Sequence, residues 1–68
     1  MSQTDAILEY LREGNTLTPL EAFERFGCLA LHSRAAELRA RGEEIRCHIR
    51  THGGKKWGEY SYAPRSPR

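Results

Sequence analysis

Near the start of the chain, Ile7, Leu8 and Leu11 are spaced by one and three residues among polar neighbours, the spacing of a single helical face. The pattern predicts a first helix over residues 5–13, with the Thr4 hydroxyl as its N-cap and Gly14-Asn15 as its stop. Thr18-Pro19-Leu20-Glu21 is a sharper start signal. It combines a capping hydroxyl, a proline at the first helical position and a glutamate placed to close a capping box. The helix it opens places Leu20, Phe23 and Phe26 at every third position, with Ala22 beside them, and ends at Gly27. A third helix is expected from Leu29 to Arg41, with Leu31, Ala35 and Leu38 as its inward stripe and Gly42 as its end.

After Gly42 the period changes from that of a helix to that of a strand. Ile45, Cys47 and Ile49 alternate with Arg46, His48 and Arg50, and Gly58, Tyr60 and Tyr62 alternate with Glu59 and Ser61. The turn-rich stretch Thr51-His52-Gly53-Gly54-Lys55-Lys56 joins them, so the two runs predict a β-hairpin. Cys47, in phase with Ile45 and Ile49, is expected to be a small core residue. Residues 64–68 hold two prolines and no apolar anchor and are expected to form a basic tail outside a single domain spanning residues 1–63.

Composition narrows the chemistry. With 68 residues the chain can bury only a small core, which leaves little room for a catalytic pocket. No apolar run is long enough to span a bilayer and the N-terminus has no secretory pattern, so a cytoplasmic location is expected. The net charge of +2 conceals a division. Residues 1–31 are acidic, while residues 32–68 carry Arg34, Arg39, Arg41, Arg46, Arg50, Lys55, Lys56, Arg65 and Arg68 against Glu37, Glu43, Glu44 and Glu59. Such a concentration suits a polyanionic partner. Neither a phosphate-binding glycine loop nor a nucleophile elbow is present, and no enzyme is expected. A zinc site built from Cys28, His32, Cys47 and His48 would need neighbouring strand residues to point the same way. No metal, cofactor or small-molecule substrate is therefore assigned.

Thr18 to Ile45, TPLEAFERFGCLALHSRAAELRARGEEI, resembles the helix-turn-helix core of the winged helix superfamily. The segment Arg34-Ala35-Ala36-Glu37-Leu38-Arg39-Ala40-Arg41-Gly42 with Ile45 resembles its recurring ending, where the recognition helix closes before the first wing strand. LTPLEAFERFG and AELRARG look closest to small helix-turn-helix proteins of phages and prophages. One departure stands out: five steps separate Ala22 from Gly27 where many such domains have four, which allows either a wider turn or Phe23 at the contact position. The resemblance implies an α+β winged helix-turn-helix, three helices and a two-stranded wing, acting as a transcriptional regulator on double-stranded DNA.

Residue chemistry supplies candidates for that role. A helix fits the major groove, where His32, Ser33 and Arg34 would reach base edges from the first turns of the third helix, with Ser33, Ala36 and Ala40 facing outward. Arg34 can instead pair with a glutamate. Arg50, His52, Lys55 and Lys56 around the wing tip, and Thr16 and Thr18 at the start of the second helix, are candidates for phosphate. Leu29 can pack on the turn or meet a thymine methyl, and Trp57 can pack at the wing base or approach the DNA backbone. Two other roles use the same fold: a protein-interaction module, and an architectural or recombination-directing DNA-binding factor. A homodimer is compatible with all three, and the first helix around Tyr10 is a candidate face for it.

Overall fold

The computed structural model describes residues 2–63; the expected tail lies outside them. Three helices precede an antiparallel hairpin: α1 (Gln3–Arg12), α2 (Pro19–Phe26), α3 (Leu31–Ala40), β1 (Ile45–His52) and β2 (Lys55–Tyr62). The expected α+β arrangement of three helices and a two-stranded wing is the one observed.

The cap of α1 differs from expectation. Ser2, not Thr4, is the N-cap, its hydroxyl accepting from the Asp5 N–H. Thr4 lies inside the helix and is buried, donating its hydroxyl to Glu37 Oε1 of α3 at 2.7 Å. At α2 the capping box is complete in both directions: Thr18 Oγ1 accepts from the Glu21 N–H, and Glu21 Oε1 accepts from the Thr18 N–H. The helix closes at Gly27 in the left-handed region, with the Gly27 N–H donating to Phe23 and the Cys28 N–H to Ala22. Helix α3 begins at Leu31, two residues later than the sequence suggested. Its N-cap Ala30 offers no side-chain hydrogen bond.

Ile7, Leu11, Leu17, Ala22, Cys28, Leu31, Ala35, Leu38 and Ile45 form the core where the helices meet the base of the hairpin. Two expectations about its membership fail. On α2 it is Ala22 that is buried; Leu20 and Phe23 are 66% and 53% exposed, so Ala22 and not Phe23 is the contact residue. Phe26 is half-buried and packs edge-to-face with Tyr10, the ring centroids 5.5 Å apart. On the hairpin, Ile45 is buried, but Cys47 is exposed and Ile49 is 65% exposed. The alternation is real, yet the strands run past the end of the helical core.

Gly53 and Gly54 both have positive φ, +59° and +79°, as a tight two-residue hairpin turn requires. Pairing therefore extends to His52 with Lys55, and the ladder runs back to Ile45 with Tyr62. No local pattern announces a further bridge at Leu17, whose N–H and C=O both bond to Tyr60, at 2.9 and 2.8 Å. This bridge fastens the start of α2 to the outer edge of β2 and thereby fixes where the wing projects.

Candidate nucleic-acid interface

Helix α3 turns Leu31, Ala35 and Leu38 into the core and leaves His32, Ala36 and Ala40 exposed. Ser33, expected to face outward, is half-buried. Arg34 is half-buried and lies 3.4 Å from Glu37 Oε2. Glu37 is itself anchored by Thr4 through its other oxygen, so α1 indirectly positions the arginine on the exposed helix. Leu29 precedes the helix and is 87% exposed rather than packed on the turn.

The basic residues at the C-terminal end of α3 serve the fold. Arg39 Nε donates to the Ile45 carbonyl at 3.0 Å, joining α3 to β1. Arg41 donates to Asp5 Oδ1 at 2.9 Å and holds α1. That pair, with the Ser2 hydroxyl, keeps the Asp5 carboxyl below its ordinary pKa. Arg12 pairs with Glu43 at 3.2 Å, and the Tyr62 hydroxyl donates to the same carboxylate.

The wing candidates divide in the same way. Arg50 is exposed but pairs with Glu59 at 2.8 Å, diagonally across the hairpin. His52, Lys55 and Lys56 lie at the tip, exposed, and among the described residues no carboxylate pairs with either lysine. Trp57 is partly exposed beside them. At the other candidate phosphate position Thr16 is exposed, whereas Thr18 is committed to its cap next to the Glu21 carboxylate. The structure thus brings His32, Ser33 and Arg34 together on one helical turn, and His52, Lys55 and Lys56 on one tip.

Among the described residues no group of three or more histidines, cysteines or acids is placed to hold a metal ion, and both cysteines are free. No helix there is long and apolar enough to cross a membrane. Comparison with curated proteins and with solved structures gave no match. The family model of the winged helix-turn-helix domain, by contrast, matches residues 2–64, spanning all three helices and both wing strands. The chain therefore belongs to the winged helix-turn-helix domain family, and this membership supports DNA as its partner.

Proposed function

We propose that the domain binds double-stranded DNA sequence-specifically, with the first turns of α3 in the major groove and the wing tip on phosphates, as a cytoplasmic regulator of transcription. The phage-like segments LTPLEAFERFG and AELRARG agree with such a role. The observation that carries the reading is the pair Lys55 and Lys56. Exposed at the start of β2, directly after the two-residue turn, and without an acidic partner among the described residues, they are cations that folding has left available to a polyanion.

Helix α3 complements them. The exposed Ala36 and Ala40 allow a close approach to the groove, while His32, Ser33 and Arg34 supply donors for base edges. Arg34 must exchange Glu37 for a guanine edge, a bidentate acceptor that fits its two terminal nitrogens. The backbone N–H groups at the start of α3 have no side-chain cap and can turn to a phosphate. Thr16 and the Thr18 hydroxyl remain secondary phosphate contacts, because Glu21 places negative charge at the same helix end. Arg50 is secondary for the same reason, being paired with Glu59.

Selection of bound duplexes from a random pool tests the reading directly and returns the length and symmetry of the site. A defined motif is expected, with binding weakened by Arg34→Ala combined with Lys55→Ala. Enrichment of no motif, or a double variant that binds as tightly as the parent, would overturn it.

A further inference from the structure

Helix α2 and the wing enclose a cleft of about 680 Å³. Its floor includes Leu20 and Trp57, 66% and 37% exposed, and Phe23 continues the apolar strip one turn along α2. One wall, on α2, carries Glu21 and Glu24; the other, at the wing tip, carries Lys55 and Lys56. No ion pair joins the walls among the described residues.

This arrangement selects its occupant. An anion small enough to lie inside the cleft against the lysines meets Glu21 and Glu24, and a basic peptide laid there against the glutamates meets Lys55 and Lys56. A surface that satisfies both walls must offer acid opposite the wing, base opposite α2 and an apolar strip between them. The chain presents that surface itself, in reversed order. A two-fold rotation about an axis through the cleft sets the α2 wall of one copy against the wing tip of the other, twice over, with Leu20 and Trp57 of both copies between.

We propose that the α2–wing cleft is the contact face of a two-fold dimer of this chain. The inference stands apart from the DNA reading, but the two meet at Lys55 and Lys56: a lysine occupied by the partner's glutamate is not available to phosphate. Self-association and engagement of a duplex by the wing therefore exclude one another. The first helix offers less apolar surface for this purpose, since Tyr10 packs edge-to-face with Phe26 and against Arg25, whose guanidinium carbon lies 5.4 Å from the Tyr10 ring centroid.

Sedimentation velocity of the full chain without DNA, from micromolar to near-millimolar concentration at low salt, tests the proposal. The parent is expected to pass reversibly from monomer to dimer. Lys55→Glu with Lys56→Glu sets like charges across both contacts, and Glu24→Lys cancels the charge of the α2 wall and sets a lysine against the wing lysines; each should raise the dissociation constant at least about tenfold. An equal mixture of the two variants restores the parental charges at one contact and removes the facing like charges at the other, so it should associate more tightly than either variant alone. Glu21 is left unchanged because it closes the cap of α2, and circular dichroism checks that each variant is folded. A parent that stays monomeric throughout, variants that dimerise like the parent, or folded variants that associate no more tightly when mixed than alone would each overturn the proposal. Because DNA is absent, none of these results bears on duplex binding.

Discussion

Asp5 shows how single side chains hold this small fold together. Its carboxylate accepts from Arg41 at 2.9 Å and sits by the cap hydroxyl of Ser2, so its pKa in the folded chain is lowered, first by the hydrogen bond from Arg41. The unfolded chain releases that proton at about 3.9. The pair therefore stabilises the fold fully above that value, and the contribution is lost as pH falls through the lower folded pKa. Arg41→Gln should raise the Asp5 pKa toward the ordinary carboxylate value, as followed by the carboxyl carbon shift during an NMR titration. An unchanged pKa would mean that the guanidinium does not hold the carboxylate in solution. Glu37 works on the same scale but faces both ways, with one oxygen held by the buried Thr4 and the other near Arg34. The residue proposed to read bases is thus tied to the residue that docks α1, and binding a guanine breaks only the outer half of that link.

At the scale of elements, the hairpin depends on a close approach between its strands. Gly58 pairs with Ile49, and a Cβ built on Gly58 would lie 2.8 Å from Cys47 Sγ on the same face. Gly58→Ala should cost about 1 kcal/mol, the lower end for overpacking, since Cys47 is exposed and can yield. Most of that cost should disappear in a Cys47→Ala background. Urea unfolding of the four chains of this cycle measures the coupling, and additive effects would show that the two residues do not touch. The elements differ in how plainly the sequence announces them. Thr18-Pro19, Glu21 and Gly27 determine α2 locally, and the observed cap and stop are the expected ones. For α1 two hydroxyls compete, and local pattern could not choose Ser2 because the hydroxyl of Thr4 goes to Glu37, 33 positions away. Alternation revealed the strands but not where the helices stop covering them, so Cys47 looked like core. The spacing of Leu20, Phe23 and Phe26 likewise resembled a buried stripe, although a helix of eight residues buries little beyond Ala22. The Leu17 bridge to Tyr60 has no local signature at all, being one residue long and closed across the whole domain.

For the whole molecule, folding sharpens the charge division visible in the sequence. Among the described residues, four ion pairs engage Arg12, Arg34, Arg41 and Arg50, and Arg39 is turned to a backbone carbonyl. The candidate residues were legible as a basic half, but which cations stay available was not, because the pairs of Arg12 with Glu43 and of Arg41 with Asp5 join segments that only the fold brings together, whereas the Arg34–Glu37 pair is local to α3. Among the described residues the lysines at the wing tip, with Arg46 further along β1, remain exposed without an ion pair. Duplex affinity should therefore fall steeply with salt, with a slope set by the phosphates that are neutralised, about 0.9 per contact for B-form DNA. Replacing Lys55 and Lys56 with alanine should lower that slope by about 2 and weaken binding to all sequences alike. Arg50→Ala should lower it by less, since Arg50 reaches DNA already paired with Glu59. Arg34→Ala should instead relax preference at one base position. Fluorescence anisotropy on one duplex across a salt series, repeated on a duplex of scrambled sequence, separates these effects. If the double lysine variant kept the parental slope, the wing tip would not be the phosphate contact, and the cations freed by opening the pairs of Arg34 and Arg50 would have to supply it.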